Sequence, residues 1–84
     1  MNTVYHVYGI SDCPSCLRCC ADLMDADYEY IFINCDFSRS FRDKIRHELN
    51  WPTFPIVICE MGEEKTIIGG SEQLKEHMGS LSAI

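Results

Sequence analysis

Residues 3–25 read TVYHVYGISDCPSCLRCCADLMD, and what this stretch folds into decides the rest of the chain. Its first seven residues are rich in β-branched and aromatic side chains and end on Gly9, the composition of a strand. Pro14 suits the first helical position, where no backbone N–H is needed. Leu17, Cys20, Ala21 and Met24 follow i, i+3, i+4, i+7 spacing, so a helix is expected over Pro14–Asp25 with that face toward the core. This reading puts Cys20 in the core and leaves Cys19 a passive, half-exposed thiol.

Working outward, YEYIFINC (28–35) reads as a second strand, and strand, helix, strand at this spacing implies a βαβ unit with parallel strands. Ser38 or Ser40 can cap a second helix in which Phe41, Ile45 and Leu49 recur, and Asn50-Trp51-Pro52 ends it. FPIVICE (54–60) and KTIIG (65–69) flank a turn at Met61–Glu64, an antiparallel hairpin. After Gly69-Gly70, Ser71 is expected to cap a third helix with Leu74, Met78 and Leu81 inward. The order β-α-β-α-β-β-α predicts an α/β fold, a four-stranded mixed sheet with helices on both faces. At 84 residues, without repeats or linkers, the chain reads as one domain, 1–84.

Composition narrows the function. A formal charge of −6 disfavours nucleic acid and anionic membranes. No apolar run approaches the roughly 20 residues that span a bilayer. The start, MNTVYHVYG, lacks the basic and apolar segments of a secretory signal. A cytoplasmic protein is expected, where clustered cysteines serve redox or metal chemistry more often than static disulfides.

The chain has six cysteines: Cys13, Cys16, Cys19, Cys20, Cys35 and Cys59. Cys13 and Cys16 lie one helical turn apart, close enough for a disulfide. A helix start carries unpaired N–H groups and about half a positive charge, which favours a Cys13 thiolate below the ~8.5 of a free thiol. Cys13 is therefore the expected nucleophile and Cys16 the resolving thiol. Asp12 opposes thiolate formation by like charge. Cys35 and Cys59 read as packing residues. A zinc site would need a second ligand pair, and His6, His47 and His77 stand isolated, so no metal site is expected.

CPSC after the first strand, Thr53-Phe54-Pro55 before the third and Gly69-Gly70-Ser71-Glu72 at the last helix stand in one order. In these motifs the chain resembles the glutaredoxins, small members of the thioredoxin superfamily. The resemblance covers nearly the whole chain and implies a thioredoxin-like fold with a cis peptide before Pro55, opposite CPSC. It implies a thiol–disulfide oxidoreductase that uses glutathione as co-substrate and binds no cofactor. Glutathione would lie against Thr53, Phe54, Pro55, Gly70, Ser71, Glu72 and Arg42. It also implies a monomer reducing protein disulfides and glutathione mixed disulfides, with ribonucleotide reductase a plausible partner.

Many relatives carry lysine three residues before the first cysteine; here that residue is Ile10. Glu72 stands for the usual Asp, and Ser15 for the commoner tyrosine. Arg18, Arg42 and Arg46 are candidates for the missing charge, Arg42 preferred because the family often places a basic residue in the second helix. Two rival functions remain: a thioredoxin-like electron donor recharged by a flavoprotein reductase, and an iron–sulfur or metal-binding module.

Overall fold

The structure, a computed structural model, describes residues 3–82, with side chains through residue 80. The elements are β1 (Thr3–Gly9), α1 (Pro14–Asp25), β2 (Glu29–Asn34), α2 (Arg39–Leu49), β3 (Ile56–Met61), β4 (Glu64–Gly69) and α3 (Ser71–Ser82). The expected order holds. The strands form one sheet, β2-β1-β3-β4, with β1 parallel to β2 and both other pairs antiparallel. Gly62, at φ 64°, opens the two-residue turn between β3 and β4, as tight hairpins favour.

Burial alternates along β1, whereas Ile56, Val57, Ile58 and Cys59 of β3 are all buried. Tyr5 and Val7 of β1 and Val57 and Cys59 of β3 meet Cys19 and Leu23 of α1 and Leu74 of α3 in one core. α1 and α3 touch each other on that face. α2 covers the other, where Ile45 is its buried residue.

The buried stripe of α1 differs from expectation. Cys16, Cys19 and Leu23 are buried, whereas Leu17 is 68% and Met24 64% exposed. Cys19 is thus a core residue rather than a half-exposed thiol, and Cys20 only flanks the core. Both stripes satisfy helical spacing, and the angle at which α1 meets the sheet selects the inner one. A similar correction holds at α3. Its cap is Gly70 rather than Ser71, and the Gly70 N–H donates to Gln73 Oε1 at 3.0 Å, half of a capping box. Leu74 is buried and Met78 packs against the core, while the side chain of Leu81 lies outside the described residues. At α2, Ser38 is the cap, accepting from the Phe41 N–H at 3.1 Å. His77 is not isolated: its Nε2 lies 2.9 Å from the Tyr5 hydroxyl.

β1 and β2 run in parallel, so the loops that follow them emerge at the same edge of the sheet. That edge carries the cysteine motif. Among the described residues, no helix is long and apolar enough to cross a membrane.

Candidate active site

Cys13 is the N-cap of α1, with extended backbone at φ −117° and ψ 95°. Its Sγ accepts the N–H of Cys16 at 3.2 Å, the position a Ser or Asp oxygen fills in an ordinary cap. Its carbonyl accepts from Cys16 and Leu17. Asp12, just before it, has φ 53°, the left-handed conformation that Asp tolerates in turns. Cys13 and Cys16 form a disulfide with Cα atoms 5.2 Å apart. Cys13 is half-buried, and Cys16 is fully buried.

Gly9 is what lets Cys16 sit there. A Cβ on Gly9 would lie 2.7 Å from the Phe32 ring and 3.1 Å from the Cys16 Cβ. At this point β1 and the start of α1 approach too closely for any side chain.

The loop before Cys13 is tied to the loop after β2. Asp36 Oδ2 accepts the Ser11 N–H at 2.7 Å, and Asp36 Oδ1 meets Arg42 Nη1 at 3.4 Å. Hydrogen bonding from Ser11, with Arg42 adding, holds the Asp36 carboxyl below its ordinary value. Arg42 therefore stands near the loop of Ile10, but its charge is already matched. Sequence reasoning missed Asp36. The parallel β1–β2 pairing was the available signal, since it brings both following loops to one edge.

The remaining candidate residues come from later in the chain. The Phe54–Pro55 peptide is cis, as the resemblance implied. Pro55 is buried, Phe54 half-buried and Thr53 exposed. Arg46 lies over the Phe54 ring, 5.8 Å from its centre, and is ion-paired with Asp43. Gly69 has φ 119°, and a Cβ there would strike the Trp51 ring at 2.7 Å. The double glycine is thus a seat for Trp51 as well as a turn. A Cβ on Gly70 would lie 3.7 Å from the Pro55 carbonyl, so turn and cis-proline adjoin. Ser71 lines a cleft of about 180 Å³ with Pro14, Ser15, Arg18 and Lys75. Pro14 and Ser15 of the cysteine motif thus share a cleft with Ser71, and the neighbouring Gly70 adjoins the buried Pro55. Glu72 is exposed beside it, and Arg42 lies toward the Ser11 loop.

Four cysteines are free. Burial pushes the Cys19 thiol up to about 11, with the nearby charges of Cys20 and Asp22 adding and Lys75 opposing. Burial also raises the Cys20 and Cys35 thiols. Among the described residues, no group of three or more His, Cys, Asp or Glu side chains is placed to hold a metal ion.

The four-stranded sheet, the three helices and a Cys-x-x-Cys disulfide at a helix start define the thioredoxin-like class of thiol–disulfide oxidoreductases. The glutaredoxin family model matches residues 3–63, and the chain belongs to that family. Among solved structures, glutaredoxin 1 from Francisella tularensis, complexed with cacodylate, is similar at a TM-score of 0.78 and 19% identity, covering 98% of this chain and 99% of that one. Glutaredoxin from Brucella melitensis follows at 0.66 and 20%, covering 99% and 86%. Thioredoxin f2 from Chlamydomonas reinhardtii gives 0.63 and 15%, covering 95% and 75%. At these identities the structures speak to the fold alone. No curated protein matches the chain.

Proposed function

We propose that this chain is a dithiol glutaredoxin in which Cys13 attacks, Cys16 resolves and glutathione supplies the electrons. The observation that carries the reading is the unequal placement of the two sulfurs. Cys13 caps the helix, with the Cys16 N–H aimed at its sulfur, while Cys16 is fully buried. An N–H directed at sulfur favours thiolate over thiol, because a hydrogen bond to a charged acceptor is the stronger one.

In the first step the Cys13 thiolate attacks one sulfur of a substrate disulfide. That S–S bond breaks, a Cys13 mixed disulfide forms, and the other substrate sulfur leaves as thiolate. Cys16 then loses its proton to the departing thiolate and attacks Cys13 Sγ, releasing the second substrate thiol. The product is the Cys13–Cys16 disulfide, the state the structure holds. Two molecules of glutathione, oxidised to their disulfide, restore both thiols.

Glutathione would dock along Thr53, Phe54 and Pro55, with one carboxylate toward Gly70, Ser71 and Glu72, where α3 begins. What supports this is that Ser71 shares a cleft with Pro14 and Ser15, and that Gly70 adjoins the Pro55 carbonyl. Protein disulfides are the wider substrate class; ribonucleotide reductase fits on the family resemblance alone. The cycle calls for a compartment where glutathione keeps thiols reduced, which the cytoplasm provides.

The test compares wild type, Cys13→Ser and Cys16→Ser on a glutathione mixed disulfide and on a protein disulfide. Cys13→Ser should lose both activities. Cys16→Ser should keep deglutathionylation and lose protein-disulfide reduction. A wild type that ignores glutathione but accepts electrons from thioredoxin reductase would overturn the glutathione part of the proposal.

A further inference from the structure

Four of the seven basic side chains are already in ion pairs: Arg42 with Asp36, Lys44 with Glu48, Arg46 with Asp43 and Lys65 with Glu60. Arg18, Arg39 and Lys75 make none among the described residues. Two of these three, Arg18 from α1 and Lys75 from α3, line the same cleft, with Pro14, Ser15 and Ser71 completing it. Lys75 also lines an adjoining groove with Asp22 and Asp25, and neither aspartate is ion-paired with it. In a chain of net charge −6, Arg18 and Lys75 bring two positive charges without ion-pair partners to one cleft beside the disulfide, with the exposed Glu72 next to Ser71 as the nearby carboxylate.

We propose that the cleft between α1 and α3 is a carboxylate subsite. In it Arg18 and Lys75 hold an anionic group of the molecule disulfide-linked to Cys13. The inference rests on reading Cys13 as the attacking thiol. Pro14 and Ser15 directly follow Cys13, so a group in the cleft belongs to whatever is docked there, one or two residues from its sulfur. Ser71 is the first residue of α3, where backbone N–H groups lack helical partners and add to the positive potential.

This assignment moves the charge that Ile10 does not supply. Arg42 and Arg46 are each neutralised by an aspartate, so neither has a free charge to offer. Arg18 and Lys75 do, on the other side of the cysteine motif. Two sources carry the carboxylate, glutathione itself or an acidic residue next to the reactive cysteine of a protein.

The test uses reduced full-length protein, wild type and the Arg18→Gln/Lys75→Gln double variant, mixed rapidly with three disulfides. These are oxidised glutathione, a short peptide disulfide with Glu beside its cysteine, and the same peptide with Gln there. Both substituted residues are exposed, so the variant should fold. The double variant should react about tenfold more slowly with at least one anionic probe and unchanged with the Gln peptide. The pH profile of Cys13 alkylation should not move, which separates substrate binding from a change in the thiolate. Slowing confined to glutathione or to the Glu peptide identifies the source. Equal slowing on all three probes, no slowing on any, or a shifted alkylation profile would overturn the subsite. The glutathione reading fails separately, if wild-type protein reacts no faster with oxidised glutathione than with the Gln peptide.

Discussion

The first turn of α1 and the turn after it each carry two cysteines, and the two turns use them in opposite ways. At the helix start Cys13 has its sulfur against the Cys16 N–H, which its own carbonyl shares, and is partly open to solvent, with Cys16 sealed beneath it. One turn on, Cys19 is packed among Leu23, Val57 and Leu74, and Cys20 lies at the margin of that core. The side chain is the same in all four cases. What differs is distance from the helix terminus and the direction in which the side chain leaves the helix, and these two variables separate a reactive sulfur from an inert one.

The largest effect expected from this contrast is kinetic. In the reduced protein at pH 7, iodoacetamide should modify Cys13 more than about a hundredfold faster than Cys19, since a thiol raised to about 11 is almost wholly protonated there. Peptide mapping after timed alkylation reads both rates, and comparable labelling would erase the distinction. Gly9→Ala strikes the boundary between the two turns. Its new Cβ would crowd the Phe32 ring, which is partly exposed and can yield, and Cys16, which cannot. A destabilisation of about 1 kcal/mol is expected in urea unfolding, with a slower resolving step. Unchanged stability and kinetics would show that the close approach is not needed.

The smallest effect is in alkaline stability. Cys19 is raised by burial from 9.0 in the unfolded chain to about 11 in the folded one. Its contribution is complete below 9.0 and declines as pH rises toward about 11, because the unfolded state loses the proton first. Cys19→Ala should flatten that part of the stability–pH curve relative to wild type, and a curve of identical slope would refute it. Cys20 and Cys35 push the same way and leave a residual slope.

Much of this architecture was legible in the residues. The bounds of α1, the Ser38 cap, the hairpin at Gly62 and the cis Phe54–Pro55 peptide all follow from local chemistry or family motifs. The orientation of α1 did not. Leu17 and Met24 look like core residues, and treating the cysteines as reagents hid the fact that Cys16, Cys19 and Leu23 form an equally regular apolar stripe. Sequence spacing gives the period of a helix but not its rotation about its own axis, which the sheet decides. The Asp36 link and the seat of Trp51 on Gly69 were missed because they join segments far apart in the chain. Analogy brings Arg42 toward the site, but the Asp36 that pairs with it lies on a loop whose approach no local pattern announces.

Cys16 belongs both to the disulfide and to the buried stripe of α1. A sulfur embedded in the packing cannot travel to meet a partner. Whatever displacement the redox cycle requires must then fall on Cys13, whose side chain stands at the rim and turns about a single bond. Reduction should therefore free the sulfur at the rim and leave the buried stripe of α1 in place.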